Sequence, residues 1–152
     1  MANTHESNIT IRLASAADKQ AIDALHVAED MTAPHDVADT FVATNACGDV
    51  CGCIKLRMAD DGRVFVNPVI VAQHARGLGI GRELMYHAHD IYGDLHLVAR
   101  GYAVGFYRAI GLVDMSWDEV IDELTEDCAH CDCVKACAPR PMKLVGHSHK
   151  HL

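Results

Sequence analysis

Three alternating glycines with an arginine at each end mark the stretch of this sequence that is best suited to binding an anion. The run Arg76-Gly77-Leu78-Gly79-Ile80-Gly81-Arg82 follows the apolar, β-branched segment Val69-Ile70-Val71, which is typical of a buried strand. Good helix formers come directly after the run. The first N–H groups of a helix have no partner within it, and glycine lets a phosphate approach the backbone closely. The order strand, glycine loop, helix therefore predicts a phosphate-binding turn.

The glycine spacing excludes two common phosphate-binding motifs. The spacing here is G-x-G-x-G, which differs from the dinucleotide fingerprint G-x-G-x-x-G. No G-K-[ST] follows the glycines, so the run is not a P-loop either. An ordinary strand–turn–helix connection is the alternative.

The run resembles the pyrophosphate-binding signature [RQ]-x-x-G-x-[GA] of the GCN5-related N-acetyltransferase (GNAT) superfamily. Arg76, Gly79 and Gly81 occupy the signature positions. A second stretch, residues 100–112, is similar to the later family motif N-x-x-A-x-x-F-Y-x-x-x-G-F. Four residues match it, Ala103, Phe106, Tyr107 and Gly111, whereas Arg100 replaces the Asn and Leu112 replaces the final Phe. The family Asn often contacts the cofactor, so that contact is in question here.

The resemblance implies an α/β (α+β) GNAT fold, with a mixed central β-sheet that is splayed at the cofactor strand and flanked by helices. It implies acetyl-CoA as co-substrate and direct transfer of the acetyl group, in a ternary complex, to the amine of a small molecule or amino acid. The implied cofactor-binding residues are Val69, Ile70, Val71, Arg76, Gly77, Leu78, Gly79, Ile80, Gly81 and Arg82. Dimers are common in this family, so a homodimer is an open expectation.

Tyr107 stands where the family often places its general acid. A phenol with a pKa near 10 can protonate a thiolate as it leaves. A core aromatic residue with a satisfied hydroxyl is the alternative. No general base is evident from the sequence.

The elements that would position these residues can be predicted along the chain. Alternating or β-branched runs predict strands at 9–13, 40–46, 50–58, 63–71, 95–99, 112–115 and 141–145. Helices are predicted from Ser15 to about Glu29, over 81–92 and over 101–110. Their apolar stripes are Ile22, Leu25 and Val27 in the first helix, and Leu84, His87, Ala88 and Ile91 in the second. Pro68 within a predicted strand indicates an edge, a bulge or a splay.

The segment 117–139 is the least ordinary part of the chain. Its apolar residues Trp117, Val120, Ile121 and Leu124 have helical spacing, and its acidic residues are Asp118, Glu119, Asp122, Glu123, Glu126 and Asp127. Four cysteines, Cys128, Cys131, Cys133 and Cys137, could ligate zinc, with reduced thiols or disulfides as alternatives. Cys51 and Cys53 share one strand face and are expected to be packing residues.

We expect one GNAT domain over residues 1–146, with 117–139 as a Cys-rich acidic insertion and 147–152 as a disordered His-rich tail. In the resembled family, the last inter-strand loop helps to wall the acceptor pocket. The insertion is therefore predicted to form a lid that selects a cationic amine. A solvated acidic helix away from the pocket is the alternative. The family also borders the acceptor pocket with the region after the first strand, which here carries Glu29, Asp30, His35, Asp36 and Asp39. A solvated acidic loop is the alternative for this region.

Composition limits the other function classes. A net charge of −8 argues against a nucleic-acid surface, and no apolar run reaches the length of a membrane span. The polar N-terminus predicts no signal peptide, and seven cysteines without an export signal favour the reducing cytoplasm. The competing function is non-catalytic: a GNAT-like module that binds CoA and uses its cysteine cluster as a metal or redox sensor.

Overall fold

A computed structural model of the chain describes residues 9–121, 124 and 138–146. Along these residues the strands and α-helices follow one another in the order β-α-β-β-β-α-β-α-β-β. The strands are β1 (Thr10–Leu13), β2 (Thr40–Thr44), β3 (Val50–Met58), β4 (Val64–Val71), β5 (Leu95–Ala99), β6 (Val113–Asp114) and β7 (Arg140–Leu144). The α-helices are α1 (Lys19–Ala28), α2 (Ile80–Tyr92) and α3 (Val104–Ala109).

The strands form a seven-stranded mixed sheet in the order β1-β2-β3-β4-β5-β7-β6. Antiparallel ladders join β1 to β2, β2 to β3, β5 to β7 and β6 to β7. Strands β4 and β5 are parallel and pair at Val64↔Leu95 and Phe65↔His96. Both pairs precede Pro68, whose peptide bond with Asn67 is cis. The mixed α/β fold expected from the sequence is confirmed.

Backbone contacts divide the chain into two compact units. The first comprises Met1–Arg57 and Val66–Ala88, and the second Met58–Phe65 and His89–Leu152. A buried cluster in the first unit joins α1 to β2, β3 and β4 through Ile22, Leu25, Val42, Cys53 and Ile70. A buried cluster in the second unit consists of Phe65, Val120 and Leu124.

Gly52 in β3 is the point where helix α2 rests closely on the sheet of the first unit. A Cβ atom at this position would lie 3.1 Å from the Ile70 carbonyl oxygen, 3.2 Å from Ile80 Cγ2 and 3.3 Å from Leu84 Cδ1. A glycine inside a strand often marks such a close approach. The missing side chain therefore lets the first turns of α2 lie against β3 and β4.

The predicted apolar stripes of α1 and α2 were wrong at their C-terminal positions. Val27 is 63% exposed, and His26 is buried instead, with Nδ1 2.9 Å from the Ile22 carbonyl oxygen. His26 is four residues after Ile22 and so lies on the same helix face, whereas Val27 is turned away. In α2, Ile91 is 53% exposed while His89 is buried, with Nδ1 2.8 Å from the Gly93 carbonyl oxygen.

The α-helix predicted across Trp117 to Leu124 is also wrong as a continuous element. Residues Trp117–Glu119 form a single 3₁₀ turn, and Val120 has extended backbone angles of φ −87° and ψ 137°. The Glu119 carboxylate accepts a hydrogen bond from the Ser116 N–H at 3.1 Å, so the acidic residue caps the turn. Val120 and Leu124 nevertheless pack against Phe65, as an apolar docking face requires.

Replacing Gly52 with Val should destabilise the fold although Val is the better strand former. The added methyl groups would press against the Ile70 carbonyl and helix α2, and overpacking of this kind typically costs about 1–3 kcal/mol. Urea unfolding should show a lower midpoint with an unchanged slope. Gly105→Ala is the control, because no atom lies within 4 Å of its added Cβ and its φ is ordinary. A Gly52→Val chain as stable as the wild type would contradict the close approach.

Candidate functional site

The loop between β4 and α2 is anchored at both of its ends. At the strand end, the Ala72 N–H donates to the Cys51 carbonyl oxygen at 2.8 Å. A 3₁₀ turn follows at Gln73–Ala75, and its Ala75 is buried. At the helix end, Ile80 and Leu84 pack over Gly52. The glycines therefore lie in a short loop whose strand end and helix end are both fixed.

Two of the predicted glycines adopt backbone angles that other residues rarely take. Gly77 has a φ of 84° and Gly79 a φ of 81°. Each position needs glycine because a Cβ atom makes this left-handed conformation costly. The glycines thus have a conformational role, which the predicted loop and an ordinary strand–turn–helix connection would both require.

The N-terminus of α2 points a set of N–H donors at the loop. The Glu83 N–H donates to the Gly79 carbonyl oxygen at 3.0 Å, which is the first i→i−4 bond of the helix. The N–H groups of Ile80, Gly81 and Arg82 therefore belong to the first turn, where the helix offers no acceptor. The helix macrodipole adds partial positive charge at the same place.

Two arginines flank these donors, and each is ion-paired with a carboxylate, Arg76 with Glu29 and Arg82 with Glu83. A Cβ atom on Gly79 would lie 3.2 Å from Arg82 Nη2, so that guanidinium folds back over the loop. On the other side, Arg76 Nη2 donates to Glu29 Oε2 at 2.6 Å, and Arg76 Nε donates to the Val71 carbonyl oxygen at 3.3 Å. Both arginine side chains are half exposed. The loop is consequently suited to an anionic group that reaches it from solvent.

A small cavity lies beside the loop. It has a volume of about 160 Å³ and is lined by Ile9, Ile11, Leu78, Ile80, Arg82 and Glu83. Ordinary ligand pockets measure roughly 300–1,000 Å³. The cavity is therefore too small for a whole ligand of that class, and the backbone of the loop is the stronger candidate site.

The predicted strand residues Val69, Ile70 and Val71 end β4 directly before the loop. Ile70 is buried in the cluster with α1, and its two neighbours are half-buried. The Ile70 side chain thus fixes the strand against the core. A role for the backbone N–H groups of this segment stays a prediction.

Tyr107 belongs to the second unit, on helix α3. Its ring meets Phe106 edge-on, with centroids 5.1 Å apart, and its carbonyl oxygen accepts from the Leu112 N–H at 3.0 Å. Burial raises the pKa of Tyr107; nearby Tyr102 raises this pKa further, and Arg100 lowers it. Arg100 Nη1 also donates to the Tyr102 hydroxyl at 3.3 Å. The Tyr107 phenol is therefore protonated well beyond neutral pH.

The buried cysteines of β3 behave as packing residues. Cys53 lies in the core cluster, and burial raises the pKa of its thiol to about 12. Burial also raises the pKa of the Cys51 thiol, which donates to the Ala43 carbonyl oxygen at 3.3 Å. Neither thiol forms the thiolate that reactivity or metal binding needs near neutral pH.

Several sequence predictions lie outside the described residues. They concern the zinc ligands Cys128, Cys131, Cys133 and Cys137, the acidic residues Asp122, Glu123, Glu126 and Asp127, and the tail 147–152. Within the described residues, no group of three or more His, Cys, Asp or Glu side chains could hold a metal ion. In that same part of the chain, no helix is both long and apolar enough to cross a bilayer.

Two further residues of the site were missed by the sequence analysis. Gly52 has a recognisable sequence pattern, a glycine inside an apolar strand, but its partners are distant along the chain. Glu29 was noted only as part of an acidic region, although it is the ion-pair partner of Arg76, 47 residues away. No sequence pattern predicts a pair at that separation.

A sequence profile described as Acetyltransferase (GNAT) domain matches residues 36–112, about half of the 152-residue chain. The match includes β2 to β5, the glycine loop and the motif around Tyr107. No curated protein matches the chain in sequence.

Solved structures with the same fold share little sequence with the chain. N-acetylglutamate synthase from Neisseria gonorrhoeae, complexed with coenzyme A and N-acetyl-glutamate, has a TM-score of 0.73 at 17% identity, over 91% of this chain and 35% of that one. Rv2747 from Mycobacterium tuberculosis, in complex with CoA and NLQ, has a TM-score of 0.70 at 18% identity, over 91% of this chain and 99% of that one. Arabidopsis thaliana Naa50, in complex with the bisubstrate analogue CoA-Ac-MVNAL, has a TM-score of 0.66 at 17% identity, over 91% of this chain and 99% of that one. The chain spans about a third of the synthase, and such identities establish the fold alone.

Proposed function

The chain belongs to the acetyltransferase (GNAT) family, and from that premise we propose that it moves an acetyl group from acetyl-CoA to the amine of a small molecule or amino acid. The observation that carries the proposal is the glycine loop. Gly77 and Gly79 shape the loop in front of the first turn of α2, and Arg76 and Arg82 flank it. Backbone N–H groups, a helix dipole and two guanidinium groups together fit a pyrophosphate.

Acetyl transfer makes few chemical demands on the protein. The amine nitrogen forms a bond to the thioester carbonyl carbon, the carbon–sulfur bond breaks, the thiolate gains a proton and the ammonium loses one. The protein must hold the two substrates together, donate hydrogen bonds to the developing oxyanion and supply a proton to the thiolate. In the proposal, the loop residues 76–82 hold the pyrophosphate, and the backbone of Val69–Val71 donates to the thioester oxygen and the pantetheine arm.

Tyr107 supplies the proton to the leaving thiolate in this proposal. The phenol is protonated at neutral pH, so a proton is present when the thiolate forms. The burial that raises its pKa also makes it a weaker acid, so the transfer needs the phenolate to be stabilised as it forms. Arg100, whose charge lowers the pKa of Tyr107, would face the phenolate that is left behind. This residue stands where the family has Asn, so the chain has an electrostatic feature of its own beside the general acid.

The acceptor in the proposal is an amine, and a cationic one is favoured. The chain has a net charge of −8, which draws cations towards it. Two acidic residues after α1 are already paired, Glu29 with Arg76 and Asp36 with Lys55, so they contribute less to such attraction. The preference therefore depends on the excess of acidic over basic residues in the rest of the chain. An acceptor KM that rises with ionic strength would support it.

Gly79→Asp should weaken coenzyme A binding about tenfold to a hundredfold. The carboxylate would lie where the pyrophosphate is expected, and two like charges about 4 Å apart near a protein surface repel by up to about 4 kcal/mol. Each 1.4 kcal/mol of lost binding free energy is a tenfold loss of affinity. Isothermal titration calorimetry measures the change. Gly79→Asn is the matched control, because Asn and Asp are close in size and both tolerate positive φ, but only Asp adds a charge. Gly48→Asp, with a φ of 85° in another turn, controls for the backbone cost. Unchanged affinity in a folded Gly79→Asp chain would remove the loop from the site.

Tyr107→Phe should lower kcat by roughly 10²–10⁴-fold and leave coenzyme A affinity unchanged, because the hydroxyl acts mainly in the transition state. Thiol release from acetyl-CoA, measured across a panel of small amines and amino acids, gives both the best acceptor and kcat.

The pH profile of the wild type gives a further prediction. Because the pKa of Tyr107 is raised, the phenol stays protonated at every pH up to about 10, so deprotonation of Tyr107 should cause no fall in kcat over that range.

Tyr92→Phe is the control for the Tyr107→Phe experiment: it removes a phenol at the end of α2, outside the residues proposed to contact the substrates, and should lower kcat far less than Tyr107→Phe does. A Tyr107→Phe chain with full turnover, where chemistry limits the rate, would exclude Tyr107 as the acid. Wild-type chain that releases no thiol with any amine, yet binds coenzyme A, would contradict the proposed transfer.

A further inference from the structure

We propose that Glu29 is a positioning residue of the coenzyme A loop, which holds the Arg76 guanidinium ready for the pyrophosphate. This inference rests on the proposed function and adds a residue to its binding site. The geometry is direct: Arg76 Nη2 donates to Glu29 Oε2 at 2.6 Å, while Arg76 Nε donates to the Val71 carbonyl oxygen at 3.3 Å. The guanidinium is thus held from two sides, by the end of α1 and the end of β4.

The backbone at the end of α1 determines where Glu29 points. The Asp30 N–H donates to the Val27 carbonyl oxygen at 3.0 Å, and the Met31 N–H donates to the His26 carbonyl oxygen at 2.9 Å. These two bonds form a Schellman cap, with Asp30 in the left-handed conformation at a φ of 58°. Met31 then packs against the buried cluster of the first unit. Glu29 therefore leaves a turn that is fixed by hydrogen bonds and by packing.

The pair leaves Arg76 able to bind a ligand. A guanidinium has five N–H groups, and the bonds to Glu29 and Val71 use two of them. The Arg76 side chain is 50% exposed and that of Glu29 is 23% exposed, so the arginine is the more accessible partner. Its remaining donors can reach an anion without breaking the pair.

Holding Arg76 in advance should increase affinity for the pyrophosphate. A free arginine loses rotamer freedom when a ligand orders it, whereas a paired one has already lost that freedom. The Glu29 carboxylate also repels the pyrophosphate, which acts in the opposite direction. Ordering should outweigh the repulsion because the bound guanidinium neutralises the carboxylate at 2.6 Å. The two effects predict opposite signs for the loss of Glu29, so the measurement decides between them.

The test is calorimetric titration of Glu29→Ala and wild-type chain with coenzyme A, beside NMR titration of both with pantetheine, which lacks the pyrophosphate. We expect Glu29→Ala to bind coenzyme A roughly three- to tenfold more weakly and pantetheine unchanged. Glu29→Gln, which keeps an acceptor oxygen for Arg76, should recover part of the loss. In an Arg76→Ala background, Glu29→Ala should have no further effect on coenzyme A affinity, because in this inference Glu29 influences the pyrophosphate only through Arg76. Thermal unfolding confirms that each variant is folded.

Each other outcome overturns the inference in a recognisable way. Equal or tighter coenzyme A binding by Glu29→Ala would show that repulsion dominates or that the pair has no role. An equal loss for pantetheine, or a loss that persists without Arg76, would show a general structural effect. If wild-type chain binds coenzyme A in these cases, only the role of Glu29 is lost. If it binds no coenzyme A, the proposed function fails together with this inference.

Discussion

The close contact of helix α2 with the sheet at Gly52 is the constraint on which the proposed site depends. A Cβ atom at this position would lie 3.1–3.3 Å from the Ile70 carbonyl oxygen and the side chains of Ile80 and Leu84, so a larger residue would push them apart. Because the first turn of α2 is held there, the chain leaving β4 has few residues in which to reach it. Gly77 and Gly79 make that connection at positive φ. The N–H groups of the first helical turn are then presented at a fixed place beside the strand.

Electrostatics in the first unit complement this backbone arrangement. Arg82 folds over the loop from the helix side, and Arg76 is tied to α1 through Glu29. The pair with Glu29 is half exposed, so its direct contribution to stability is small, in the range of about 0–1 kcal/mol. In the proposal, the pair orients the Arg76 guanidinium for a ligand with two phosphates. The glycine loop thus depends on residues that are adjacent in sequence, whereas Glu29, the partner of Arg76, reaches the loop only through the tertiary fold.

The parts of the molecule that could be predicted are those with local causes. The strand, loop and helix around Gly79 follow from β-branched residues, glycine conformations and helix formers that are adjacent in sequence. The parts that could not be predicted depend on distant partners or on competing local bonds. Glu29 finds Arg76 47 residues away, and Ser116 and Glu119 form a cap where an amphipathic stripe indicated a helix. His26 replaces Val27 in the core because a buried carbonyl oxygen satisfies its ring nitrogen.

The most direct test of the account is an amide NMR titration of the ¹⁵N-labelled chain with coenzyme A. If the pyrophosphate binds at the start of α2, the largest shift changes should fall on the N–H groups of residues 77–82, with a further set at Val69–Val71. Adding pantetheine alone should perturb the strand residues and leave the loop largely unchanged. Coenzyme A that binds while the amides of residues 77–82 stay unperturbed would contradict the central claim, since the ligand would then occupy another part of the chain.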